Sequence, residues 1–272
     1  MNIADPKLTA DAAPLVASRQ GNIAVATLNR PAARNALSEE MLTALTALLA
    51  ELAADKSVAA LVISAHGPAF CAGHDLKQLT SRRTDADGGK AYFRHIMTSC
   101  SAMMQAIVGL PKPVIACVQG MASAAGCQLV ATCDLAVASV QAQFATPGVD
   151  IGLFCSTPMV ALSRNIAPKQ AMEMLLTGEP VSAERALAIG LVNRVVPHGR
   201  ELGAALELAQ TVASKSARVV GIGKEAFYRQ REMTLSQAYD YAAEIMTENM
   251  MLQQSNEGIC AFLEKREPTW SE

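Results

Sequence analysis

Aromatic side chains are scarce in this chain: six Phe, four Tyr and one Trp among 272 residues, 4 % of the whole. A core built on large rings is therefore excluded. The apolar residues, 51 % of the chain, must fill the interior as Ala, Val, Leu, Ile and Met. Such side chains suit helices packed closely over a sheet. No apolar run is long enough to span a bilayer, so no membrane span is expected. Charge of one sign is nowhere concentrated, and the net charge is −2. That excludes a basic stripe for nucleic acid and an acidic tail. The seven cysteines are odd in number and form no Cys-x-x-Cys. Several lie inside apolar runs, which predicts buried thiols in a reducing cytosol rather than a disulfide framework. His66, His74, His95 and His198 do not cluster with them at metal-ligand spacing, so no metal is expected. The N-terminal residues 1–13 carry acids and prolines and read as loose, with neither the apolar core of a signal peptide nor an Arg-rich transit segment; a cytoplasmic protein is the expectation.

What is present is an alternation of short apolar runs with helical periodicity. Residues 16–18 and 23–28 flank Gln20-Gly21-Asn22 and read as a hairpin. Ser38, followed by Glu39 and Glu40, caps a helix over 39–54 whose Met41, Leu45, Leu48 and Leu52 share a face. Residues 60–63 read as a strand and 67–75 as a loop. The polar stretch 80–90 reads as a mobile surface loop with the makings of a lid, and 92–108 as a helix. Helices are expected over 156–164, 168–176 and 183–189, an extended piece over 191–196, and helices alone from Gly199 onward. Strands and helices alternating before a helical tail predict an α/β body with a helical cap.

The chain is organised around residues 113–152. A buried strand, Val114 to Val118, leads into the small residues Ala122-Ser123-Ala124-Ala125-Gly126, then an apolar helix to about Asp134 and a second strand from Leu135 to Ala138. Small residues before a helix let a ligand approach the backbone, and the unpaired N–H groups of the first turn favour negative charge. A tight strand-to-helix turn that needs small residues only for packing fits the same pattern. Gly221-Ile222-Gly223-Lys224-Glu225-Ala226 has dinucleotide-fingerprint spacing, but the preceding segment is helical in pattern, so neither NAD nor a flavin is expected.

Several of these motifs, in order, resemble the crotonase (enoyl-CoA hydratase/isomerase) superfamily. They are Asn29-Arg30-Pro31-Ala32-Ala33-Arg34-Asn35-Ala36-Leu37, Phe70-Cys71-Ala72-Gly73-His74-Asp75-Leu76, the Lys112 to Gly120 run, Ala122 to Leu129, Cys133 to Ala138, Phe144 to Pro147, and Leu176 to Ala183. The segments Gly152 to Pro158 and Phe262 to Glu272 resemble most closely a branch that lacks the usual hydratase carboxylates. The resemblance implies a spiral of right-handed ββα turns over residues 1–198. It also implies a helical trimerisation region over 199–272, a homotrimer or homohexamer, an acyl-CoA ligand and no tightly bound cofactor.

By the same resemblance the backbone N–H groups of His74 and Ala125 form an oxyanion hole for a thioester carbonyl. Such a donor is worth about 100- to 1000-fold in rate. The His74 ring is either a pocket wall or a general acid or base. Ala33 and Arg34 match the loop that meets pantetheine and phosphates. Ala72, Asp75 and Leu76 match the adenine loop, and Lys265 matches a lysine that reaches the CoA phosphates, often of a neighbouring subunit. Hydratases of the family use two glutamates as acid and base. At the first of these positions stands Gln128, whose amide has no usable proton affinity near neutral pH, and twenty residues on stands Gly148, with no side chain. Asp150, two residues further, points to the same side if the segment is extended, and then enters the pocket as a substitute; otherwise it faces solvent. Gly148 also leaves space for a bound bicarbonate, as in some synthases of the superfamily. Installing glutamates at 128 and 148 together is expected to restore hydration, provided Gly148 does not hold a positive φ. Three functions remain open: a weak hydratase, a decarboxylase or other enolate-forming enzyme, to whose Ala-Gly-His-Asp form this chain is similar, or a non-catalytic acyl-CoA binder.

Overall fold

The computed structural model describes residues 13–270. The loose N-terminal stretch expected from the sequence falls outside the described residues up to residue 12.

Two sheets carry the fold. The larger has the order β1-β2-β3-β5-β7-β10, formed by Leu15–Gln20, Ile23–Leu28, Ala60–Ala65, Val114–Val118, Leu135–Ser139 and Arg194–Val196. Its first pair is the expected antiparallel hairpin, and every other pairing is parallel. The smaller has the order β4-β6-β8-β9, formed by Ala69–Cys71, Met121–Ser123, Gln143–Ala145 and Val181–Ser182. From β3 to α6, three successive turns each lay one strand in the first sheet, a short strand in the second, and then helix. The helices closing these turns are α2 (Leu76–Ser81) with α3 (Lys90–Gly109), α4 (Ala125–Thr132), and α5 (Ser156–Asn165) with α6 (Pro168–Thr177). This is the ββα spiral. β4 and β6 are too short to carry a period-two signal, so the sequence shows only a loop and a small-residue turn where they lie.

The helix α1 (Glu39–Ala54) forms where its cap and apolar face place it. Ser38 Oγ accepts the Met41 N–H, and Met41, Leu42, Leu45, Leu49 and Leu52 are buried. The main core lies between the two sheets and α1, α3 and α4. Two of the rare aromatics, Phe70 on β4 and Phe144 on β8, are 0 % exposed in it. A second cluster lies on the other face of the larger sheet. There Ile23, Val25, Val62, Ile115 and Val137 meet Ala205 and Ala209 of α8 (Glu201–Ala213). The division expected at residue 198 thus falls before a helix that covers the sheet. The short α7 (Ala183–Ala188) precedes it, and α9 (Ala217–Gln230), α10 (Leu235–Met250) and α11 (Gln253–Glu264) follow. α9 contains the Gly-x-Gly-x-x-Ala sequence in its interior, with no strand before it.

The segment 80–90 is less free than a plain loop. Ser81 ends α2, Arg82–Thr84 forms a 3-10 turn, and Arg82 and Arg83 stack on the Tyr92 and Phe93 rings at 4.8 and 5.7 Å. Cys71, Cys100, Cys117, Cys127, Cys133 and Cys155 are buried free thiols, and Cys260 is partly exposed. No described helix is long and apolar enough to cross a membrane.

Candidate thioester site

Two loops meet at the N-terminus of α4. Ala124, just before the helix, holds φ 49° and ψ −115°, a positive-φ conformation rare for a residue with a Cβ, and this turns β6 into α4. Gly126 has no Cβ because there is no room for one: it would lie 2.1 Å from the carbonyl oxygen of Cys71. On the facing loop Gly73 holds φ 91°, and a Cβ there would lie 3.0 Å from that of Ala124 and 3.3 Å from the Ala125 nitrogen. These contacts put the backbone at Gly73-His74 directly against that at Ala124-Ala125. Neither the His74 nor the Ala125 N–H has a hydrogen-bond acceptor among the described residues. Two adjacent unpaired donors at a helix N-terminus suit an oxygen that gains negative charge.

The His74 ring nitrogens are buried and make no hydrogen bond of good geometry among the described residues. Burial holds the His74 pKa below the ordinary histidine value, which favours the neutral ring, and the Leu37 backbone partly offsets this.

The other candidate residues fall into three groups. Arg34 and Ala33 are joined to the 72–76 loop: the Ala72 N–H donates to the Arg34 carbonyl at 3.0 Å and the Leu37 N–H to the Gly73 carbonyl at 2.8 Å. Asp75 spends its carboxylate locally, accepting the Gln78 N–H at 3.2 Å as the cap of α2 and pairing with Arg30 at 3.1 Å. Leu76 is 50 % exposed beside it. Lys265 is exposed at the C-terminal end of α11 with φ 57°.

Gln128, one helical turn after Ala125, is 4 % exposed, and its Oε1 has no partner among the described residues. It lines a cavity of about 560 Å³ between α3, α4, α5 and the end of α9. Gly148 is buried and its φ is not positive, so the backbone condition set for a glutamate there is met. Space is the obstacle that the sequence did not reveal. A Cβ on Gly148 would lie 2.9 Å from both Cys155 Sγ and the Leu153 carbonyl oxygen. The chain folds back over Gly148 here, with the Leu153 N–H donating to the Gly148 carbonyl at 2.8 Å. The premise for Asp150 also changes. Pro147–Ile151 is a 3-10 turn, not extended, and Asp150 is exposed, its carboxylate beside Gly178. Cys155 is a functional candidate that reading the sequence missed. Its buried thiol fills the place into which a side chain at 148 would grow, and burial raises its pKa.

A third assembly anchors α9. Lys224 is 8 % exposed; its Nζ donates to Asp134 Oδ2 at 2.7 Å and to the Ile107 and Lys112 carbonyls at 2.9 Å. Asp134 also accepts the Tyr228 hydroxyl at 2.9 Å and the Val114 N–H at 2.7 Å. Burial lowers the Lys224 pKa and Asp134 opposes that shift.

Residues 18–272 match the enoyl-CoA hydratase/isomerase family. The chain is similar to the rat protein named enoyl-CoA hydratase domain-containing protein 3, mitochondrial, with 45 % identity over 98 % of this chain and 85 % of that one. It is similar in structure to an enoyl-CoA hydratase of Mycobacterium smegmatis, with a TM-score of 0.89 and 49 % identity over 94 % of this chain and 98 % of that one. The human enoyl Coenzyme A hydratase domain-containing protein 3 superposes with a TM-score of 0.89 and 44 % identity, over 94 % of this chain and 100 % of that one. The mitochondrial names of the rat, mouse and human relatives correct the expectation of a cytoplasmic protein.

Proposed function

The chain belongs to the enoyl-CoA hydratase/isomerase family, and from that premise we propose that it binds acyl-CoA thioesters through an oxyanion hole without the two-carboxylate chemistry of hydration. The observation that carries this reading is the apposition of Gly73-His74 and Ala124-Ala125, with the His74 and Ala125 N–H groups unengaged among the described residues. Fixed donors stabilise a thioester enolate without reorganising as charge develops.

The CoA moiety lies along Ala33, Arg34, Ala72, Asp75 and Leu76, the last three offering backbone groups, with Lys265 reaching the phosphates. Gln128 orients the acyl group or a water by hydrogen bonding and moves no proton. Gly148 contributes none, and the loop above it leaves no volume for a substitute. Asp150 is too exposed to act from within the pocket. Such a site assists reactions that form an enolate without a base, loss of CO2 from a malonyl-type thioester among them. The assembly is a homotrimer or homohexamer, supported by the exposed apolar residues of the last helices. Calorimetric titration with acetyl-CoA tests the reading: saturable one-site heat is expected, and no heat together with no competition by longer esters contradicts it.

A further inference from the structure

The cavity that begins at Gln128 has two chemically different ends. Gln128, 4 % exposed, marks the inner one, and Thr157, in the first turn of α5, also lines the cavity. Met104, Ala131, Val160 and Ala161 supply apolar lining. Arg164, Arg231 and Glu232 form the outer end. The helical rise along α5 from Thr157 to Arg164 spans about 10 Å.

The outer end carries two guanidinium groups and one carboxylate. Arg164 Nε donates to Glu232 Oε1 at 3.4 Å, a long contact between side chains 51 % and 68 % exposed. Arg231 donates to the Arg164 backbone carbonyl and stands 5.5 Å from the Phe227 ring, which fixes it at the mouth. Among the described residues no carboxylate lies at ion-pair distance from Arg231. A methyl-ended chain filling this cavity would press against these charges and strip them of water. A terminal carboxylate would instead receive charge-assisted hydrogen bonds from the fork of Arg231. At the other end Gln128, whose buried Oε1 has no partner among the described residues, lies one turn along α4 from Ala125.

We propose that the acyl group taken by this cavity is a medium-length chain ending in a carboxylate, so that the ligand is the CoA monothioester of a dicarboxylic acid. This rests on the acyl-CoA reading above. The test is calorimetric titration with acetyl-CoA, octanoyl-CoA and octanedioyl-CoA at low ionic strength. Octanedioyl-CoA is expected to bind about tenfold tighter than octanoyl-CoA, the worth of one charged hydrogen bond. Arg231→Gln should shrink that ratio to within about threefold, and added salt should shrink it in the unmutated protein, which keeps the test valid if the variant fails to fold. Octanoyl-CoA binding as tightly as octanedioyl-CoA, or a preference indifferent to both Arg231 and salt, overturns the proposal while acetyl-CoA binding stands. Binding of none of the three overturns the acyl-CoA reading and this proposal together.

Discussion

The Sγ of Cys155 occupies the space into which a side chain at Gly148 would grow: a Cβ built there lies 2.9 Å from it and 2.9 Å from the Leu153 carbonyl oxygen. The absence of a carboxylate at this position is therefore a property of the surrounding loop as well as of residue 148. The Leu153 oxygen is backbone and is held by the same turn that returns an N–H to the Gly148 carbonyl.

Gly148→Glu is accordingly expected to cost about 1–3 kcal/mol through overpacking. It should bring no hydration, either alone or with Gln128→Glu, contrary to what the residue types alone suggest. Thermal unfolding and crotonyl-CoA turnover of both variants check this. A well-folded double variant that hydrates would show that the 152–155 loop yields.

The Lys224–Asp134 pair supports a prediction on stability. Asp134→Ala leaves the Lys224 ammonium buried with two carbonyls and no counter-charge. The expected cost is about 3–5 kcal/mol by urea unfolding. Adding Lys224→Met should recover most of that loss, because it removes the stranded charge; strictly additive losses would contradict the account.

His74 gives a pH dependence with a definite sign. Its pKa in the folded chain lies below the ordinary 6.5 because the ring is buried. As pH falls through 6.5 the unfolded chain takes up a proton first, so stability is lost from there down to the folded pKa. The unmutated protein should lose more melting temperature between about pH 7.5 and 5.5 than His74→Gln does. Parallel curves would place the ring in water.

The last helices predict self-association. Leu235, Tyr239 and Met246 of α10 are 76 %, 71 % and 62 % exposed, and Phe262 and Leu263 of α11 are 81 % and 72 % exposed. Apolar residues so concentrated mark a surface that another chain covers. Light scattering at micromolar concentration should give the mass of a trimer or hexamer, and a monomer mass would refute this.

Much of the fold was legible because its longer elements announce themselves. α1 shows a cap and a face, β5 and β7 are apolar runs between breakers, and the tail is helical in period. β4, β6 and β9 were not legible, since strands of two or three residues are fixed by pairing rather than by pattern. At the site, the family resemblance singled out His74, Ala125, Gln128 and Gly148. It could not show that Cys155 and Leu153 close over Gly148, because that contact depends on a turn at Gly152 with φ 75°, nor that Pro147–Ile151 coils and turns Asp150 outward. The charged end of the cavity was equally hidden. It joins the end of α5 to the end of α9, residues 67 apart in sequence.

We propose that the chain holds a thioester carbonyl without the groups that add water across an enoyl double bond. The decisive assay mixes the unmutated protein with crotonyl-CoA and follows the loss of enoyl absorbance under conditions where calorimetry shows the ligand bound. The account predicts saturable binding with turnover at least 100-fold below the typical enzyme value of about 10 per second. Hydration at or near that typical rate would contradict it.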